Sequence, residues 1–230
     1  MKRVYMDYAA TTPVDPRVVK AMLPYFTKKF GNTMSLHSFG QEAKEALEES
    51  RIKVAKLMKA NPTEVIFTSS ATESNNTVLK GIAFANKHKG KHIIVSKIEH
   101  HCILETAKWL EKQGFEVTYL KVDKYGLIDL NELENSIRKD TILVSIMHAN
   151  NEIGTIEPIK EIGKICRERG VYFHTDAAQS FGKIPIDVKK MNIDLMTVSA
   201  HKMYGPKGVA GLYIREGVKN DPLMHGGGHE

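Results

Sequence analysis

Ionisable side chains stand just after short apolar runs at several places in this sequence, and three of them could take part in chemistry. Lys202, Asp176 and His100 each lie within a few residues of the end of such a run. A desolvated lysine is a nucleophile that can form a Schiff base with a carbonyl group. A carboxylate in apolar surroundings needs a positive partner, and an imidazole can stack on a planar ring or move protons near neutral pH. Taken alone, the lysine is more simply explained as a surface residue and the histidine as a surface or core residue.

Two further segments after apolar runs could bind a ligand. Ser70 and Glu73 have the spacing of a helix capping box, which predicts that a helix begins directly after Ser70. The free N–H groups of Ala71 and Thr72, the Thr72 hydroxyl and the helix dipole would form a seat for a phosphate, although a plain helix cap explains the same residues. Asn151 is one of two adjacent asparagines and supplies directed hydrogen-bond donors, with turn formation as an equal alternative.

The elements that would position these residues alternate between two periodicities. Apolar, β-branched runs predict strands at 65–68, 92–96, 115–121, 141–147, 171–175, 194–199 and 208–214. Helical spacing of apolar residues predicts helices at 40–59, 71–88, 101–113, 129–138 and 158–169. This alternation is typical of an α/β fold, a mostly parallel sheet with helices on both faces. Ligands of such sheets bind at the carboxyl ends of the strands, where all five segments fall.

The five segments supply complementary groups in chain order. They give a phosphate seat, a stacking imidazole, a polar clamp, an acid and a Schiff-base lysine. An acid that keeps a ring nitrogen protonated is what pyridoxal 5'-phosphate (PLP) enzymes use to make the ring an electron sink. Five such signals at successive strand ends together predict a PLP site.

Composition agrees with a globular protein and excludes several other classes. The chain has 230 residues, 42% of them hydrophobic and 26% charged. No apolar run approaches the roughly 20 residues that span a bilayer, and no signal-type apolar segment follows the start, so we expect a cytoplasmic protein with no membrane contact. The net charge of +6 is spread among acidic residues, which predicts a mildly basic surface and no direct nucleic-acid binding.

The two cysteines, Cys102 and Cys166, predict a reducing compartment and exclude a disulfide scaffold. Neither has a partner at metal-ligand spacing, so no structural metal site is expected. The glycine-rich stretch 225–230 contains two histidines and could bind a metal, but it is more simply a loop.

Longer motifs extend the strand-end pattern, and they are located at 7–15, 31–32, 37–40, 68–75, 150–154, 174–180, 199–208 and 226–230. They resemble cysteine desulfurases of the NifS/IscS group, which are class V aminotransferases. The resemblance covers essentially the whole chain and implies the large domain of a PLP-dependent transferase of fold type I. One departure is Gly31-Asn32-Thr33-Met34-Ser35, where the family usually has Gly-Asn-Pro-Ser-Ser.

The resemblance implies three central roles. Lys202 would hold PLP in a Schiff base, and Asp176 would pair with the pyridine nitrogen. His100 would stack on the ring and move protons.

The resemblance also implies the remaining cofactor contacts. Gln179 and Asn151 would hydrogen-bond the phenolic oxygen of the ring and hold the substrate side. Thr72, Ser199 and His201 would bind the phosphate, beside the N–H group of Ala71.

The activity implied by the resemblance is conversion of L-cysteine to alanine, with the sulfur left on an enzyme persulfide for iron-sulfur cluster or thio-cofactor assembly. The implied partners are a second copy of the chain in a homodimer and an iron-sulfur scaffold or other sulfur acceptor protein. A selenocysteine lyase or an aminotransferase of the same class remains an alternative. So does a non-catalytic split-gene fragment or regulatory subunit that keeps the fold.

The resemblance implies a domain division as well. Residues 1–14 would be an N-terminal arm of the small domain, and 15–230 the PLP-binding large domain, ending before the C-terminal small domain. Neither Cys102 nor Cys166 matches the family's sulfur-accepting cysteine, so we expect that residue on a further segment, such as a complementing C-terminal polypeptide.

Overall fold

A computed structural model describes residues 2–227 of the protein, and its centre is one seven-stranded sheet. The strands are β1 (Val65–Thr68), β2 (His92–Ser96), β3 (Glu116–Leu120), β4 (Thr141–Ser145), β5 (Tyr172–Asp176), β6 (Leu195–Ser199) and β7 (Ala210–Ile214). Their order across the sheet is β1-β7-β6-β5-β4-β2-β3. The pairs from β6 to β3 are parallel, and β7 runs antiparallel to both β1 and β6. The predicted mostly parallel sheet is therefore confirmed.

Helices cover both faces of this sheet. They are α1 (Pro16–Thr27), α2 (Ser38–Met58), α3 (Ala71–Asn86), α4 (His101–Lys112), α5 (Leu130–Ser136) and α6 (Ile159–Arg169). One apolar core packs α3 and α4 against Ile93 and Val95, and a second packs α2, α5 and α6 against Ile94. Neighbouring residues of a strand point to opposite faces, so β2 contributes to both cores. This is why its residues are all buried.

The sequence pattern predicts no element between residues 15 and 39, where the structure has helix α1. It begins at the N-cap Asp15, whose carboxylate accepts a hydrogen bond from the Arg17 backbone N–H. The helix contains Pro24 and has no buried residue. Proline inside a segment is a helix-breaking signal, and Pro24 thereby obscured the apolar periodicity of this helix.

The turn that leads into α3 differs in detail from the predicted capping box. Ser70 Oγ accepts a hydrogen bond from the Glu73 backbone N–H at 3.1 Å, as predicted. The Glu73 carboxylate reaches back to the Ser69 N–H at 2.8 Å instead of the N–H of Ser70. The helix start is therefore fixed by the side chains of the cap residue Ser70 and of Glu73.

Among the described residues, no helix is long and apolar enough to cross a membrane.

Candidate cofactor-binding site

A cleft of about 470 Å³ opens at the carboxyl edge of the sheet. It is formed by the segments that follow β1, β2, β4, β5 and β6, together with the segment that leads into the antiparallel β7. The structure brings all the predicted site residues into its lining, namely Ala71, Thr72, His100, Asn151, Asp176, Gln179, Ser199, His201 and Lys202. Their proximity follows from the topology, because the ends of parallel strands meet at one edge.

Asp176 is the last residue of β5 and has an exposed fraction of only 5%. Its Oδ1 accepts a hydrogen bond from the Ala178 N–H at 2.9 Å, and its Oδ2 accepts one from Asn75 Nδ2 at 2.7 Å. Burial raises the pKa of this carboxyl, and the two hydrogen bonds oppose that rise. Within residues 2–227 it forms no salt bridge. The cleft therefore has at its base an acid that lacks a cationic partner.

Lys202 lies on the short 3₁₀ turn that follows β6. Its Nζ donates to the backbone carbonyls of Ala9 at 2.6 Å and Ala10 at 2.8 Å. Burial lowers the pKa of Lys202, the nearby charge of Lys183 lowers it further, and Asp176 opposes this. A lowered pKa favours the neutral amine, which is the nucleophilic form.

His100 is the N-cap of α4, and its ring position follows from that role. Its Nδ1 accepts a hydrogen bond from the Cys102 backbone N–H at 3.2 Å. A backbone N–H can only donate, so the neutral ring carries its proton on Nε2. The nitrogen that can exchange protons with a ligand is therefore Nε2.

The N-terminus of α3 offers two open backbone donors. The N–H groups of Glu73 and Ser74 are bound to Ser70, whereas those of Ala71 and Thr72 have no hydrogen-bond acceptor in the described part of the chain. Together with the dipole of a 16-residue helix, they favour an anion here.

Ser199 and His201 also line the cleft. His201 Nδ1 lies 3.1 Å from the Thr11 hydroxyl, and burial lowers the pKa of this imidazole. A neutral His201 can therefore form a hydrogen bond with a ligand through Nε2.

Two amide side chains of the cleft have partners at its mouth. Gln179 Nε2 donates to the Ala9 carbonyl at 2.7 Å, and its Oε1 accepts from Lys183 Nζ at 3.4 Å. Asn151 Nδ2 donates to the Glu152 carboxylate at 2.7 Å. Their partners are exposed to solvent, where water can replace the amides. Both amides can therefore turn toward a bound ligand.

The N-terminal segment is tied to the turn that carries Lys202. The buried Thr12 donates from its backbone N–H to the His201 carbonyl at 2.9 Å, and its hydroxyl accepts from the Tyr204 N–H at 2.8 Å. These contacts place the 9–12 backbone beside the cleft. The assignment of residues 1–14 to a separate small domain stays a prediction.

Sequence reasoning missed two buried residues next to the site. Asn75 donates to Asp176, as described above, and lies one helical turn after Thr72, a spacing that could have indicated it. Glu99 precedes His100 and accepts from Ser96 Oγ at 2.6 Å and from the Met147 N–H at 2.8 Å. Burial raises the pKa of Glu99 to about 8, the hydrogen bonds from Ser96 and Met147 oppose that rise, and the nearby carboxylates of Asp176 and Glu157 add to it.

No cluster of three or more metal-ligating side chains occurs within residues 2–227. The histidine and glutamate that end the predicted 225–230 loop lie outside the described residues.

Comparison with known proteins decides the family. The profile of the aminotransferase class-V family matches residues 4–230. The chain belongs to the class V aminotransferase family. Its resemblance to cysteine desulfurases is confirmed by a relative from Methanosarcina thermophila named cysteine desulfurase IscS, 61% identical over 229 residues. That match covers all of this chain but 57% of the relative, so the chain corresponds to the N-terminal part of such enzymes.

Solved structures confirm the fold of this class V aminotransferase chain. A NifS-like protein superposes with a TM-score of 0.97 at 46% identity, covering 99% of this chain and 63% of that one. A structure described as SspA in complex with cysteine superposes with a TM-score of 0.95 at 45% identity, covering 98% and 65% respectively. The predicted fold type I is thereby confirmed.

PLP is the cofactor of these class V homologues, and the cleft fits it. Asp176 is a buried acid that forms no salt bridge within residues 2–227, so it is free to pair with a protonated pyridine nitrogen. The open N–H groups of Ala71 and Thr72 suit the phosphate, and Lys202 is an amine with a lowered pKa in the same cleft. These residues have the chemistry that the ring nitrogen, the phosphate and the aldehyde of the cofactor need.

Proposed function

We propose that the protein carrying this chain is a PLP-dependent cysteine desulfurase that converts L-cysteine to alanine. The observation that carries the proposal is the convergence of Lys202, Asp176 and the α3 N-terminus in one cleft. The cysteine desulfurase name of the Methanosarcina relative and the cysteine bound in the SspA structure support cysteine as the substrate.

In this proposal Lys202 holds the cofactor covalently, Asp176 pairs with its ring nitrogen and the α3 N-terminus binds its phosphate. When bound, PLP supplies an electron sink for negative charge at the substrate Cα. As a free amine, Lys202 would remove the Cα proton of the substrate at its Nζ. His100 would lie against the ring and would move the proton of the substrate thiol at Nε2, because its Nδ1 accepts a hydrogen bond from the Cys102 N–H.

Sulfur transfer needs a thiolate, and neither cysteine of this chain suits that role. Burial raises the pKa of Cys102 to about 11 and that of the fully buried Cys166 still further. We therefore propose that the acceptor cysteine lies on a segment beyond this chain. Its thiolate attacks the substrate sulfur, so that an S–S bond forms as the C–S bond breaks and no outside oxidant is needed.

We also propose the assembly and location of the protein. It forms a homodimer, acts in the cytoplasm and passes its sulfur to an iron-sulfur scaffold or another acceptor protein. The IscS name of its relatives and the two free cysteines support this. Residues 1–14 are an arm of the small domain and 15–230 the large domain, a division that the resemblance to cysteine desulfurases supports.

Incubation of the whole protein with PLP and L-cysteine tests the activity. We expect equal amounts of alanine and of persulfide sulfur, the latter released as sulfide by a thiol reductant. Peptide mapping after persulfide trapping should find the label on neither Cys102 nor Cys166. Alanine without any persulfide, or a persulfide on Cys102, would contradict this proposal.

A further inference from the structure

Asn75 lies on α3, the helix whose N-terminus is the proposed phosphate site, and it contacts Asp176. Its side chain is fully buried on α3. Asn75 Nδ2 lies 2.7 Å from Asp176 Oδ2 and 3.1 Å from Cys102 Sγ. An ionised carboxylate only accepts hydrogen bonds, so the NH₂ group and not the carbonyl must face Asp176. Both amide hydrogens are thereby used, while Asn75 Oδ1 has no hydrogen-bond partner in the described part of the chain.

The same amide leads to His100 through Cys102. Cys102 Sγ lies 3.0 Å from His100 Nδ1, and the Cys102 backbone N–H donates to that nitrogen. The sulfur accepts from Asn75, and its S–H is the group that can share the Nδ1 lone pair with the Cys102 N–H. One buried amide therefore contacts Asp176 directly and His100 through a single thiol.

We propose that Asn75 is a positioning residue of the cleft, which keeps the Asp176 carboxylate ionised and fixes its orientation. It deepens the proposed function, since it assigns Asn75 to the acid that would pair with the pyridine nitrogen. Thr72 and Asn75 lie one turn apart on α3. A single rigid helix thereby sets the positions of the phosphate seat and of the ring-nitrogen acid relative to each other.

Four titratable groups face Asp176 in addition to its two hydrogen-bond donors. His100 and Cys102 face it from the start of α4, Lys202 from the turn after β6, and Glu99 from the β2–α4 connection. Burial favours the protonated acid, and within residues 2–227 only the Ala178 N–H and the Asn75 amide hydrogen-bond to the carboxylate. A hydrogen bond to a charged group contributes more than one between neutral groups.

Two variants of Asn75 in the whole protein test the role. Asn75→Ala removes the donor, and Asn75→Asp replaces it with a second acid of the same shape. We expect the ¹³C carboxyl resonance of Asp176 in cofactor-free protein to titrate at higher pH in both variants, and highest in Asn75→Asp because like charges repel. We expect the Kd for PLP to rise about tenfold in Asn75→Ala.

Asn86→Ala is the matched control. Asn86 is an equally buried asparagine of α3 that donates to the carbonyls of Ile82 and Lys219. Its loss should change neither the titration of Asp176 nor the Kd for PLP. An Asp176 titration that is unchanged in folded Asn75 variants, or shifted equally in Asn86→Ala, would overturn the proposal.

A measurement on the wild type applies even where the variants fail to fold. The side-chain amide resonances of Asn75 should shift with the same midpoint as the Asp176 carboxyl carbon. Independent titration of the two would also overturn the role. If Asp176 responds as expected but the wild type binds no PLP, the positioning role stands and the proposed function fails.

Discussion

The Lys202→Ala variant is expected to lose desulfurase activity by about 10³-fold or more, because it lacks both the nucleophile and the base of the proposed reaction. It should still bind PLP without a covalent bond, since Asp176, Ala71 and Thr72 remain. The measurement is the alanine formed from L-cysteine under saturating PLP. The absorbance band at roughly 400 nm that is typical of a PLP–lysine imine should be absent from the variant.

Lys190→Ala is the control for this variant. Lys190 is exposed and does not line the cleft. Its loss should leave both the spectrum and the alanine yield at the wild-type level. A Lys202→Ala protein that keeps the absorbance band and turns over cysteine would show that another amine holds the cofactor.

The Asp176→Asn variant is expected to lower activity by about 10²-fold or more and to weaken PLP binding. A neutral amide cannot hold the pyridine nitrogen protonated, and the loss of one partner of a buried charged pair is costly. The direct readout is exchange of the substrate Cα proton in deuterated water, which should slow in proportion to the activity.

Unfolding of the cofactor-free protein separates this effect from a loss of structure. Burial already disfavours the charge of Asp176, so Asp176→Asn should unfold at a temperature close to that of wild type. Asp187→Asn, outside the cleft, serves as the matched control. Wild-type exchange rates in Asp176→Asn would exclude the assigned role of this acid.

The site could be predicted from the sequence because its residues directly follow the strands. Lys202 and Asp176 come after apolar runs, and the ends of parallel strands necessarily meet at one edge. The helices could be predicted because helices such as α3 and α6 bury one apolar face each, which gives the sequence a helical periodicity.

The missed features depend on contacts between distant parts of the chain, and the spacing of Asn75 from Thr72 indicates a shared helix face but not the contact itself. Asn75 looks like a surface residue of a helix, yet its partner Asp176 lies 101 residues away in the chain. The carbonyls of Ala9 and Ala10 contact Lys202 through backbone atoms, which any residue type could supply. Helix α1 contains Pro24, a helix-breaking signal that obscured the apolar periodicity of the segment.

The most direct test of the central claim is to locate the cofactor on the chain. The protein is loaded with PLP, reduced with borohydride to fix any imine, digested and analysed by mass spectrometry. The predicted result is a phosphopyridoxyl group on the peptide that contains Lys202 and on no other. A group on Lys183 or Lys207, or no modified peptide after loading, would contradict the assignment of this cleft as a PLP site built on Lys202.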